Sequence, residues 1–178
     1  MALIPIGRRE VRVQGDGNCF YRAVARALNG KTDQNYSKVR SLCNAVIEDF
    51  PQVFLPLLFT HTTVEEHLKC SRKDGTWAET ADIFSCATVL QHTIVVYSMA
   101  KEKWVKFDPY LKIAPRMTVK RSCDCPITFV LHDFFPQWSH FNLLETDGDC
   151  CSAPTPENSK KSVFIDLVDP LVDIVPCE

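Results

Sequence analysis

Gly15-Asp16-Gly17-Asn18-Cys19-Phe20-Tyr21-Arg22-Ala23 constrains the fold more than any other stretch of this chain. Its two glycines allow a tight backbone, and Asp16 and Asn18 suit the entry to a helix. Phe20, Val24 and Leu28 then recur at helical spacing with Ala23 and Ala27 beside them, which predicts a helix packed along one face. Cys19 is expected in its first turn, where unpaired N–H groups and the positive end of the helix dipole favour a thiolate. The position equally suits a small buried hydrophobe, since free cysteine is among the most buried residue types. This segment alone leaves both roles open.

A histidine far along the chain bears on that choice. Ser139-His140-Phe141-Asn142-Leu143-Leu144 alternates as a strand, with Phe141 and Leu143 on one face and His140, Asn142 and Leu144 on the other. His140 and Asn142 are thus about 7 Å apart along the strand. At that spacing Asn142 can hold one ring nitrogen while the other addresses a thiol, the logic of a Cys-His-Asn site. A cysteine at a helix start and a distant histidine are what a thiol hydrolase requires, because such partners meet in space. His132 is the competing base, but Asp133 beside it faces the opposite way in an extended strand. Asp16 is an alternative to Asn142 as the third residue, with Asn142 preferred. His61 and His67 are expected to be exposed, and His92 to lie in a helix-to-strand turn.

Taken in order, Asp16 to Ala23, Gly75-Thr76-Trp77 and His140-Phe141-Asn142 resemble the ovarian tumour (OTU) family of cysteine proteases, over roughly residues 8 to 146. The family commonly has a glycine after that tryptophan, where this chain has Ala78. The resemblance implies an α/β (α+β) papain-like fold, a small mostly antiparallel central sheet sandwiched between helices. It implies a deubiquitinating isopeptidase that frees lysine side chains of ubiquitin, polyubiquitin or ubiquitin-like proteins through an acyl-enzyme. Cys19 would be the nucleophile, His140 the base and Asn142 its orienting partner. The turn of Asp16, Gly17 and Asn18 would hold the oxyanion, and Trp77 and Phe141 would line the substrate channel, although Trp77 equally suits a core anchor. A module that binds ubiquitin or SUMO with weak or lost catalysis is the alternative; the intact Cys19, His140 and Asn142 favour the enzyme.

Composition is compatible with this. A chain of 178 residues with 46% hydrophobic content can build one domain with a real core. A net charge of −2 gives no basic field for nucleic acid. No apolar run approaches the ~20 residues that span a bilayer, and the first residues lack a signal-peptide pattern. Nine cysteines are an odd set, unlike a secreted disulfide framework, so an intracellular (cytoplasmic or nuclear) monomer is expected. Cys123-Asp124-Cys125 and Cys150-Cys151 lack zinc-site spacing, and neither metal nor cofactor is expected. Cys43 and Cys86 read as core.

The segment 10–14 is expected as a short edge strand, followed by helices over 19–29 and 36–50 and a broken helix over 51–59. Thr63 with Glu66 forms a capping box for a helix at 64–71. A helix after Trp77 buries a stripe of Ile83, Phe84, Ala87 and Leu90, and strands follow at 93–97, 104–107, 127–132 and 141–144. The protease domain is placed at 1–146. Residues 147–178 read as a flexible linker and an acidic-apolar tail. Within that tail Val163, Phe164, Ile165 and Leu167, then Val172, Ile174 and Val175, resemble SUMO-interacting motifs. A last strand of the domain or an ordinary chain end is the alternative.

Overall fold

The computed structural model describes residues 4–119, 124–133 and 139–146. The SUMO-motif residues from Val163 to Val175 lie outside these, as do Cys123, Cys150 and Cys151. The elements run β1 (Arg8–Val11), α1 (Cys19–Asn29), α2 (Tyr36–Asp49), α3 (Pro51–Phe54), a 3-10 turn (Leu55–Leu57), α4 (Val64–Ser71), α5 (Thr80–Leu90), β2 (Ile94–Ser98), β3 (Lys103–Phe107), β4 (Ile127–His132) and β5 (His140–Thr146). The strands form one sheet in the order β1-β5-β4-β2-β3. Only the β2–β4 pair is parallel; β1–β5, β4–β5 and β2–β3 are antiparallel. The expected α/β class with a small, mostly antiparallel sheet is therefore present.

One face of the sheet presents Ile94, Val96, Ile127, Phe129, Leu131, Phe141 and Leu143 to a core shared with Phe20, Val24, Val39, Ile47 and Ile83 of the helices. The other face carries a smaller cluster of Met99, Val130 and Leu144, flanked by Ile4, Tyr97 and Trp104. β5 thus alternates as its sequence predicts. All eleven residues of α5 are buried rather than the one stripe expected, which makes it the interior helix of the helical layer. Cys43 and Cys86 are both fully buried in that core.

One strand boundary and one helix cap depart from expectation for local reasons. β1 ends at Val11 instead of reaching Gln14, because the Val13 N–H donates to the side chain of Asn142 at 2.9 Å and not to a neighbouring strand. At α4, Thr63 Oγ1 accepts from the Glu66 N–H at 3.2 Å, while the Glu66 carboxylate reaches back one residue further, to the N–H of Thr62 at 3.2 Å. His67, expected to be exposed, is buried with its Nε2 3.2 Å from Oδ1 of Asp82. Its position on the inner face of α4, beside Leu68, explains this. His61 is half-buried. No helix among the described residues is long and apolar enough to cross a membrane.

Candidate active site

Cys19 opens α1 and is 6% exposed. Its Sγ accepts a hydrogen bond from the Phe141 N–H at 3.5 Å, so the sulfur rests on β5 one residue from His140. Nε2 of His140 is 2.9 Å from Oδ1 of Asn142. The other ring edge faces Gly15: a Cβ there would lie 3.4 Å from His140 Nδ1. Gly15 is exposed and His140 half-buried, so the imidazole keeps access to solvent while the sulfur is buried.

Burial pushes the Cys19 thiol up, and the nearby Asp16 carboxylate adds to this. The N–H groups of Phe141 and Phe20 act in the opposite sense without overcoming it. The helix start and β5 both supply N–H donors to the sulfur, but desolvation outweighs them. The thiol of the resting protein is not activated by the helix alone.

The residues of the turn prove to be structural in detail. Asp16 accepts from the Asn18 N–H at 3.0 Å and from Nη2 of Arg22 at 2.6 Å. The Arg22 guanidinium holds its carboxyl down at about 2. Both contacts tie Asp16 to the turn and the first part of α1. Asn18 is buried and does not cap α1 with its side chain. Its Oδ1 instead accepts from Arg40 Nη2 at 2.6 Å and from the Gly75 N–H at 3.1 Å.

Gly17 has φ +77°, and a Cβ on it would stand 1.7 Å from the Gly75 carbonyl oxygen. The turn before Cys19 and the loop before Trp77 are thus pressed backbone to backbone. Arg40 clasps the same two loops, donating to Ser71 O at 2.9 Å and to Thr76 O at 2.7 Å as well as to Asn18. Its guanidinium also lies 4.2 Å from the centre of the Tyr21 ring. Trp77 follows half-buried, and Ala78 tucks its methyl into the core. The Phe141 side chain is buried edge-on against Phe20 at 5.3 Å rather than lining an open channel. What Phe141 offers the site is its backbone N–H.

Sequence reading missed Glu10 and Arg40. Glu10 Oε1 accepts from Asn142 Nδ2 at 2.6 Å and also lies 2.6 Å from His132 Nε2. Burial pushes the Glu10 carboxyl up, but the bonds from His132 and Asn142 prevail and leave it below the usual range. His132 sits directly across from His140 in the β4–β5 register, with one nitrogen committed to Glu10. Asp133 does turn away, to the Ser98 hydroxyl at 2.5 Å and the Ala100 N–H at 2.8 Å. Period-two alternation could have placed Glu10 on the face of Asn142 once the β1–β5 register was known.

A sulfur at a helix start, set on a strand that carries an imidazole–amide pair, is the arrangement of a thiol hydrolase. Residues 14–123, more than half of the chain, match the family model of the OTU-like cysteine proteases. The chain belongs to that family. It is 25% identical over 149 residues to the OVARIAN TUMOR DOMAIN-containing deubiquitinating enzyme 7 of Arabidopsis thaliana, covering 84% of this chain but only 36% of the plant protein. Among solved structures, an ovarian tumour (OTU) domain in complex with ubiquitin superimposes with a TM-score of 0.60 at 15% identity, over 80% of this chain and 72% of that one. The Hazara virus OTU bound to ubiquitin gives 0.56 at 20% identity, over 80% and 83%. These likenesses establish the fold as that of OTU domains.

Proposed function

We propose that this chain is a deubiquitinating thiol isopeptidase in which Cys19, His140 and Asn142 act together. The observation that carries the reading is the seating of the Cys19 sulfur on the Phe141 N–H, beside an imidazole whose Nε2 is already held by Asn142. Nδ1 is then the nitrogen left to take the thiol proton. The thiolate attacks the carbonyl carbon of the ubiquitin C-terminal glycine, and its oxygen turns to the N–H groups of the Asp16–Cys19 turn. One such donor is worth about 3 kcal/mol in other enzymes. The lysine amine leaves with the proton from His140. Water, deprotonated by the same ring, then cleaves the thioester.

Ubiquitin as the substrate is supported by the plant relative and by the two ubiquitin-bound neighbours. Trp77, half-buried beside the turn, would wall an approach narrow enough to select the side-chain-free glycines of a ubiquitin tail. The placement of the protease unit within residues 1–146 is supported by a sheet that, among the described residues, is built of five strands running from Arg8 to Thr146. A ubiquitin probe with a C-terminal electrophile is expected to label the wild-type chain and to leave Cys19→Ala unlabelled. Equal labelling of the variant would overturn the assignment.

A further inference from the structure

Away from Cys19, the segment before α4, α4 itself and the start of α5 bring together His61, His67 and Glu79, whose donor atoms all lie within 4.8 Å of one another. His67 is 1% exposed and Glu79 3%. Nε2 of His67 faces Oδ1 of Asp82 at 3.2 Å, and Oδ2 of that carboxylate accepts from the Glu79 N–H at 2.8 Å. The Ser71 hydroxyl donates to the same Oδ1 at 3.2 Å. A carboxylate in this position keeps the ring proton on Nε2 and leaves the Nδ1 lone pair free.

That lone pair has no hydrogen-bond partner, and neither does Oε2 of Glu79, although both atoms are buried. Unpartnered acceptors on two members of one buried cluster call for an electrophile there. His67 Nδ1 lies 3.9 Å and His61 Nδ1 3.3 Å from Oε1 of Glu79. Zinc bonds of about 2.0–2.1 Å in tetrahedral geometry separate the ligand atoms by about 3.3–3.4 Å. The cluster is therefore close to a coordination shell without an ion to organise it. Imidazole with carboxylate suits zinc among the divalent metals.

We propose that His61, His67 and Glu79 form a site for one zinc ion, with Asp82 orienting His67 from behind. Three protein ligands leave a fourth position for water. The Thr60 hydroxyl, 2.9 Å from His61 Nδ1 and also donating to Glu79, is the group the ion displaces from that nitrogen. Glu79 follows Ala78 and Trp77 directly, so the ion would pin the Trp77 loop to α4. The sequence expectation of no metal rests on the cysteine motifs, which lack zinc spacing and a following histidine pair; this site contains no cysteine and draws on residues before α4, within α4 and at the entry to α5.

Cobalt(II) is the probe, added to the full chain under reducing conditions. One equivalent is expected to give visible d–d bands without strong near-ultraviolet thiolate charge transfer, and zinc is expected to displace it. His61→Ala and Glu79→Gln are each expected to weaken cobalt binding at least about tenfold. His61 is only half-buried, so the metal-free His61→Ala protein should melt close to the metal-free wild type, and only the wild type should gain melting temperature when zinc is added. Thiolate bands would overturn the proposal by assigning the metal to cysteines. So would an absence of cobalt binding, or binding by either variant as strong as that of the wild type.

Discussion

Asn142 serves three partners at once: its Oδ1 meets His140 Nε2 and the Val13 N–H, and its Nδ2 donates to Glu10. Aspartate would stabilise an imidazolium better than an amide in most thiol or serine sites. Here it would set a second carboxylate against Glu10 and remove the only donor Glu10 receives from this residue. Asn142→Asp is therefore expected to lower kcat/KM at neutral pH by about tenfold or more, a factor of ten being about 1.4 kcal/mol. Glu10→Gln combined with Asn142→Asp is expected to recover most of that loss, since an amide at position 10 can donate to the new carboxylate. Equal activity of the single and double variants on a fluorogenic ubiquitin substrate would show that Glu10 does not govern the pair. The placement of Cys19 at a helix start and of His140 and Asn142 on one face of a strand was legible in the sequence, because each sits on a clear helical or alternating pattern. Glu10 was not, because its contact depends on the β1–β5 pairing, which no local pattern specifies.

Two glycines with left-handed backbone frame α1, and they differ in what surrounds them. Gly30 closes the helix at φ +72°, its N–H on Arg26 O at 2.8 Å, and a Cβ there would meet nothing within 4 Å. Gly17 opens the helix against Gly75 with no room at all. Urea unfolding is expected to show about 1 kcal/mol lost in Gly30→Ala, the conformational cost alone. Gly17→Ala should lose about 2–4 kcal/mol, because overpacking adds to that cost. Similar losses in both would mean that the Gly17–Gly75 approach is not tight. The helices themselves were readable: α1 matches its expected span, and α2 ends one residue short of it. The interior position of α5 was not, because its Ser85 and Thr88 look like a polar face until their hydroxyls are seen bonded to Cys43 O at 2.7 Å and Phe84 O at 2.9 Å. The role of Arg40 was hidden in the same way, a cation on α2 that turns inward to Asn18 and Thr76.

At the scale of the whole molecule, the site is a seam between the helical layer and the β1–β5 edge of the sheet, and a carboxylate is tied down on each side of it. On the helical side Asp16 pairs with Arg22, and on the sheet side Glu10 is hydrogen-bonded to His132. Both carboxyls are held below their usual range. A depressed carboxyl contributes stability that is complete above its unfolded pKa of about 4 and is lost as pH falls through the folded value. For Asp16 that window runs from about 4 down to about 2. Acid titration of unfolding free energy is expected to be steeper in the wild type than in Asp16→Asn across this range, and indistinguishable curves would contradict the pairing with Arg22. The mixed strand order joins β1 to β5 across nearly the full length of the domain, so cysteine and histidine depend on long-range pairing for their meeting.

The rate at which Cys19 is alkylated, followed by peptide mass spectrometry as a function of pH, addresses the partnership of sulfur and imidazole without any substrate. Because burial pushes this thiol up, a lone Cys19 should react only above the ordinary thiol range. In the wild type, reaction is expected to begin at markedly lower pH, and His140→Gln is expected to shift the profile up by at least about one pH unit. Superimposable profiles for the two proteins would mean that the ring does not share the sulfur's proton.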